Sequence, residues 1–318
     1  MRIHGYLDRY GDERYGVEVD GGLLTGGALE RQGGLPAGDT HLPLELAMVV
    51  DPDWQRRLAK AVRRARKRGA KPIAPARRTP AAPFPYPRKI VCVGLNYLEH
   101  LAEGGRGVAP DAVLFAKFDN AVVADGQPII RPEGTTKLDL EVELGVVIGR
   151  TARRVTVDEA MDHVAGYVVV NDVSARDWQG IPAALEPGGA GDGQWVRAKG
   201  SDTFLPMGPV FVTADELDPA AGLRLRSWRI TPDGTEHPMQ DGTTADLMRD
   251  IPTLISYITR TVTLEPGDIV STGTPSGVGV FRDPPVFLQP GDRVRCEIEG
   301  IGSVENPVID WTEVAAGA

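Results

Sequence analysis

Long apolar runs are missing from this chain of 318 residues, and no stretch approaches the ~20 apolar residues that a membrane helix requires. The opening "MRIHGYLDRYGDERYG" is polar and has no apolar centre of the secretory kind, so a cytoplasmic protein that meets no membrane is expected. Cysteine is scarce. Cys92 and Cys296 lie far apart in strand-like segments, which argues against a disulfide framework or a cysteine metal cluster and for reduced, buried thiols. Only five histidines occur, so a histidine-rich metal centre is not expected, and each histidine inside a motif carries weight. Positive charge is also in deficit. A net charge of −9 argues against nucleic acid as the main partner, local basic patches aside.

What is present fits a soluble globular protein, at 42% apolar and 25% charged residues, with length enough for a large core and more than one domain. Residues 1–50 read as short strands and turns. From Asp51 a helix is expected to about Ala70, with Asp51 as cap, Pro52 in the first turn and Trp54, Leu58 and Val62 at helical spacing. Its remaining surface is basic (Arg56, Arg57, Lys60, Arg63 and others), a solvated face facing acidic neighbours, since no groove-reading aromatic pattern accompanies it. Residues 71–88 are proline-rich and cannot continue a helix or fill a central strand. The division expected is a small N-terminal domain over 1–70, a linker over 71–88 and a main domain over 89–318.

Beyond Lys89, "KIVCVGLNY", "AVVADGQPIIRP", "LEVELGVVIG", "GYVVVNDVS", "MGPVFVT", "LRLRSWRITPDG" and "DRVRCEIEGIGSVENPV" are strand-like. Helices are few: "LEHLAEGG" ended by glycine, a short one after Thr156, and "TTADLMRDIPTLISYITR" with Leu247, Ile251, Leu254, Ile255 and Ile258 as its stripe. Many strands without regular strand–helix alternation indicate a mixed α/β fold, mainly β, with peripheral helices.

Within "KLDLEVELGVVIGR", Asp139, Glu141 and Glu143 alternate ahead of an apolar run. On one strand they face the same way, about 6.6–6.8 Å apart, and a buried face would crowd negative charge. A hard divalent cation turns that repulsion into attraction, because oxygen ligands suit it and two or three carboxylates suffice. An edge strand with its acids in water is equally compatible with the alternation. Asp172, ending "GYVVVND", either completes a three-carboxylate site or caps the next turn.

"LEVELGVVIG…NDVSARDWQ" resembles the signature of the fumarylacetoacetate hydrolase family, as do "VGLNYLEHLAE" upstream and "WVRAKGSDTFLPMGP" and "PGDIVSTGTPSGVG" downstream. These four motifs stand in family order across about residues 89–279. The resemblance implies a mixed β-sandwich roll, barrel-like, as catalytic domain beside a small N-terminal α+β domain. It implies that Glu141, Glu143 and Asp172 bind Mg²⁺ or Mn²⁺, with Asp139 behind them or at the strand entrance. His100 and Glu103, neighbours on one helical face, match the pair that activates water in hydrolytic members. Glu99 points about 100° away on such a helix and is not chosen. Lys199 matches a lysine near the substrate, where an ammonium stabilises developing negative charge. Arg176 and Gln179 match positions that contact substrate or support the site, and Gly273 and Thr274 lie in a loop that lines the pocket.

A keto-acid substrate and a homodimer are further implications. The activity expected first is hydrolysis of a C–C bond in an acylpyruvate-like β-diketo acid through a stabilised enolate. Isomerisation, decarboxylation or dehydration of a related 2-keto or 2-hydroxy-dienoic acid is the alternative, and a catalytically silent metal- or metabolite-binding protein stands below both. Two segments depart from the family pattern and bear on substrate identity: the Gly/Pro-rich loop 180–198, and Phe118-Asp119-Asn120 after the lysine of "LFAKFDNAV".

Overall fold

A computed structural model of the chain describes residues 1–105, 107–108, 111–185 and 191–315; residues 186–190 of the Gly/Pro-rich loop lie outside these. The fold is mixed α/β and mainly β, with 32% strand against 26% helix, and among the described residues no sheet closes into a barrel. The larger sheet has twelve strands. Along its main path run Gly22–Leu24, Glu13–Val19, Arg2–Leu7, Val210–Thr213, Val164–Asn171, Val142–Ile148, Ile269–Ser271, Ile90–Gly94 and Val113–Lys117. A five-stranded sheet, Glu236–Thr243, Arg224–Ile230, Arg293–Ile298, Gly302–Asp310 and Ile129–Arg131, packs beside it.

Val142–Ile148 explains why the alternation of acids stops where it does. Every residue of this strand is buried, so its sequence becomes a continuous apolar run after Glu143. Its antiparallel partner Val164–Asn171 is almost as enclosed, and Val142 pairs with Asn171. That register brings residues about thirty positions apart in the chain to one end of the strand pair, where the acids lie.

The N-terminal strands are continuous with the main sheet, since Arg2, Ile3 and His4 pair with Val212, Phe211 and Val210. The proline-rich stretch runs along the first strand, and Ala81 N–H donates to Gly5 O at 3.1 Å. The division into 1–70, 71–88 and 89–318 is therefore a proposal about folding units within one shared sheet. The basic helix spans Trp54–Lys67 and buries Trp54, Leu58, Ala61 and Ala65. Asp51 does not cap it; its carboxylate accepts from Asp53 N–H and pairs with Arg57 Nε at 2.7 Å. Arg56 and Arg66 pair with Asp53 and Asp20, as a solvated basic face beside acids requires. The helix expected over 243–260 is shorter, Ile251–Thr259. Asp250 accepts from Thr253 N–H, and Pro252, suited to a first turn, fixes the start there, leaving Leu247 ahead of the helix.

Glu45 ties the N-terminal region to the rest at a cost. Its Oε1 accepts from Tyr86 N–H at 2.8 Å, whereas Oε2 is buried without a partner. Burial pushes its carboxyl up to about 7, against roughly 4.3 in an unfolded chain. The neutral acid is the form the fold favours, so the stabilisation is complete below about pH 4.3 and is lost as the pH rises through 7. Glu45→Gln keeps the acceptor for Tyr86 and abolishes the titration. Between pH 5 and pH 8 its unfolding free energy should fall less than that of the wild type, by about 2–3 kcal/mol. Urea titrations at both pH values check this, and equal losses would contradict it.

Candidate active site

The acids lie on a broken strand. Leu138–Asp139 pairs with Ser174–Ala175 in a small two-stranded sheet, Leu140 and Glu141 lie outside any strand, and Val142 enters the main sheet. Asp172 N–H donates to Glu141 O at 2.9 Å, and Asn171 Oδ1 accepts from Glu141 N–H, so two backbone segments are clamped side by side. The clamp gathers carboxylate oxygens of Glu141, Glu143 and Asp172 within 4.8 Å of one another, all buried. A wet edge strand is thereby excluded.

Cations balance this cluster. Lys199 Nζ lies 2.7 Å from Glu141 Oε2 and 2.7 Å from Asp172 Oδ2. Arg176 reaches Glu141 Oε1 at 2.7 Å and Asp139 Oδ2 at 2.9 Å, and donates to Gln179 Oε1. Burial pushes Glu141 up, but Arg176, Lys199 and His100 outweigh it and hold the carboxyl below its ordinary range. Burial lowers Lys199, yet Asp172 and Glu141 prevail and keep it an ammonium. Glu143 differs: burial, then repulsion from Asp172 and Glu141, raises it well above the ordinary range, although Ser271 and Gly273 N–H donate to its Oε2. Asp139 is no member of the cluster. It accepts from Gly279 and Val280 N–H at 2.8 and 3.0 Å and so anchors the loop behind the site.

Lys117 is the residue of this cluster that sequence reasoning passed over. Its buried Nζ lies 2.7 Å from Asp172 Oδ1 and donates to the carbonyls of Val173, Lys199 and Phe204. A lysine ending the otherwise apolar strand "VLFAK" was the available signal. With three protons directed at three carbonyls, Lys117 leaves Asp172 Oδ1 buried and without a directed hydrogen bond. That orphaned oxygen, beside carboxylates of Glu141 and Glu143, fits a hard divalent cation such as Mg²⁺ or Mn²⁺.

His100 and Glu103 meet as expected, with Nδ1 2.7 Å from Oε1. Gly277 N–H donates to the other Glu103 oxygen at 2.9 Å, and Phe281 packs against the imidazole. Glu99 is exposed and accepts from Ser276. Leu95, at φ 59°, takes a left-handed conformation uncommon outside glycine and turns the chain from Ile90–Gly94 toward this helix. His100, Glu141, Glu143, Asp172, Arg176, Gln179, Lys199 and Thr274 all line one pocket. Thr274 Oγ1 donates to Val142 O and accepts from Gln240, so its proton is committed to the fold. Gly273, at φ 100°, has no room for a side chain, since a β-carbon would stand 2.9 Å from that of Asn96.

Residues 89–309 match the family model described as fumarylacetoacetate (FAA) hydrolase, C-terminal. The chain belongs to the fumarylacetoacetate hydrolase family. A relative named mitochondrial oxaloacetate tautomerase fahd2, from Xenopus laevis, is 42% identical over 228 residues, covering 72% of this chain and 67% of that one. Among solved structures, the fumarylacetoacetate hydrolase of psychrophilic Exiguobacterium antarcticum is 33% identical, with TM-score 0.75 over 98% of this chain and 99% of that one. The 5-carboxymethyl-2-hydroxymuconate delta-isomerase of Mycobacterium smegmatis is 30% identical, with TM-score 0.69 over 98% and 100%. This family member is thus similar along nearly its whole length, N-terminal region included, to enzymes bearing both hydrolase and isomerase names. Cys92 and Cys296 are free and buried, and among the described residues no helix is long and apolar enough to cross a membrane.

Two outcomes follow from these charges. Because burial and repulsion from Asp172 and Glu141 raise Glu143 well above the ordinary carboxyl range, Mg²⁺ bound there competes with its proton, so affinity should rise with pH. Calorimetric titration in buffers of different ionisation heat measures the protons released, and none at pH 6 would refute the effect. Lys117→Met should destabilise the apo protein by about 3–5 kcal/mol in urea denaturation, because it strands a buried carboxylate and three carbonyls.

Proposed function

We propose that this enzyme moves a proton at the carbon next to the keto group of a 2-keto acid, with keto–enol tautomerisation as its reaction. What carries this is the buried cluster of Glu141, Glu143 and Asp172 in one pocket with His100, which Glu103 pairs from behind, and the named tautomerase and isomerase relatives support it. Glu141, Glu143 and Asp172 would hold Mg²⁺ or Mn²⁺. Such a cation supplies a Lewis acid that polarises the keto oxygen and lowers the cost of negative charge there.

The chain's own residues do the rest. Because Nδ1 of His100 faces the Glu103 carboxylate, its proton belongs there, and Nε2 is left to accept. Nε2 takes the C3 proton; the C–H electron pair becomes the C2–C3 double bond, and the carbonyl π pair moves to the oxygen. Nε2 then returns its proton to that oxygen, so no water or oxidant is consumed. Glu103 stabilises the imidazolium between the two steps, and Lys199 faces the growing negative charge. Arg176 and Gln179 orient the ends of the pocket, and Gly273 and Thr274 shape its wall.

Hydrolysis of an acylpyruvate-like β-diketo acid is the second reading, favoured by the complete His100–Glu103 pair and the likeness to the Exiguobacterium hydrolase. There Nε2 takes a proton from water, whose oxygen attacks the distal carbonyl; the C–C bond electrons leave on the other fragment as an enolate, and Nε2 returns its proton to that fragment. A reducing compartment such as the cytoplasm suits two free buried thiols, and a homodimer completes the proposal.

Proton NMR in D₂O separates the two reactions. Loss of the C3 proton signal without cleavage supports tautomerisation, and ¹⁸O from labelled water in a carboxylate product supports hydrolysis. His100→Gln should lower turnover by about 10²–10⁴-fold. The double change Glu141→Ala with Glu143→Ala should abolish Mg²⁺ binding and exchange together. Survival of both would disprove the site.

A further inference from the structure

We infer that Arg282, which does not line the pocket, is a positioning residue for His100. It latches the loop whose Gly277 amide holds Glu103, and so keeps the imidazole proton on Nδ1. This rests on the proposed role of Nε2 as proton acceptor and goes further by naming what secures it.

The loop is anchored at both ends. Gln240 Nε2 donates to Thr274 Oγ1 at 2.6 Å and to Pro275 O at 2.8 Å. Asp139 accepts from the amides of Gly279 and Val280. Between these anchors stands Gly277, at φ 101°, so close to the strand Glu236–Thr243 that a β-carbon would meet Met239 O at 2.3 Å. Such an approach crowds carbonyl oxygens, which repel one another unless a donor stands among them. Arg282 is that donor. Its Nη2 gives to Met239 O at 2.6 Å and to Pro238 O at 3.1 Å, and its Nε gives to Gly277 O at 3.3 Å. A guanidinium carries several donors in one rigid plane and stays charged, so a single side chain spans loop and strand.

The latch reaches the imidazole through two contacts. Gly277 N–H donates to one Glu103 oxygen at 2.9 Å, while the other faces His100 Nδ1 at 2.7 Å. Phe281, next to Arg282 in the chain, packs against the imidazole with centroids 5.9 Å apart. The Glu103 side chain is 20% exposed, so once the Gly277 amide is released its carboxylate can turn to water. In a neutral imidazole the hydrogen bond made by one nitrogen decides which of the two carries the proton. Without Glu103 in place, part of the population carries it on Nε2, where it blocks the base. The groups that face substrate keep their places, and Asp139 still anchors Gly279 and Val280. The loss therefore falls on the proton-transfer step and spares binding.

Two readouts on the full-length protein test this. The first is ¹⁵N NMR of histidine-labelled protein without metal, at about pH 8.5, above the ordinary histidine pKa of ~6.5, with His100→Gln to assign the signal. The wild type should show the proton on Nδ1, and Arg282→Ala should show a mixture of both tautomers. The second is exchange of the C3 protons of 2-oxobutanoate or 2-oxosuccinate in D₂O with Mg²⁺, above the uncatalysed rate. Arg282→Ala should lower kcat about 10–100-fold with KM changed less than about twofold. Millimolar guanidinium should restore part of that loss, and sodium chloride at equal ionic strength should not. Arg282→Lys keeps a charge and a donor, should lose less in the same direction, and carries the test if the alanine variant does not fold. An unchanged tautomer in both variants overturns the inference, and so does a mixed tautomer with unchanged kcat. A wild-type proton on Nε2 overturns both the inference and the assigned base. A wild type that exchanges no C3 proton overturns the proposed chemistry, and the tautomer signals then decide the latch alone.

Discussion

The structure depends on one electrostatic constraint: carboxylates placed where water is excluded must be matched, charge for charge, by cations from elsewhere in the chain. An uncompensated ion in such a place costs several kcal/mol, more than most single packing contacts return. Each compensating cation therefore also organises backbone. Lys117 gathers the carbonyls of Val173, Lys199 and Phe204, so the strand end, the helix Trp195–Gly200 and the turn after it converge on one ammonium. Arg176 joins Asp139 to Glu141, and Asp139 in turn holds the amides of Gly279 and Val280. Loosening any one of these contacts exposes the others to unpaired charge.

The same constraint sets up the chemistry. Three cations face four carboxyl groups, and the odd acid is Glu143, raised well above its ordinary range, while Asp172 Oδ1 has the Lys117 ammonium beside it but no directed hydrogen bond. A buried acid cluster one cation short fits a hard divalent cation. The His100–Glu103 pair is held separately, by Gly277 and by the helix that follows Leu95, so the imidazole keeps its position independently of the carboxylate cluster. Preorganised groups of this kind need little rearrangement as charge moves between them.

Several parts of the site were legible from residue order alone. Alternating acids before an apolar run, an acid ending the next strand and a His–Glu pair at i, i+3 are local patterns. They persist because strand and helix periodicity are local properties. Other parts were not legible. Alternation suggested one unbroken strand for Asp139, Glu141 and Glu143, but Asp139 lies in a separate two-stranded sheet, Leu140 and Glu141 lie between strands, and Asp139 turns to the loop at Gly279. Lys117 looked like the unremarked end of a strand, because nothing within a few residues reveals what its ammonium meets. The shortened helix after Asp250 belongs to the first kind: Pro252 and its cap were visible, and the apolar spacing of Leu247 obscured them.

By itself, then, the amino-acid order determined the strand-rich class, the reduced cysteines, the family motifs and the residue types able to hold a hard cation. Those follow from composition and short-range spacing. Only the tertiary structure decided that the carboxylates are buried, that Arg176 and Lys199 each bridge two of them, that the N-terminal strands extend the main sheet, and that Arg282 joins the loop behind Glu103 to a distant strand. Those facts arise from contacts between segments distant in the chain, where register and desolvation act and local propensity carries no information.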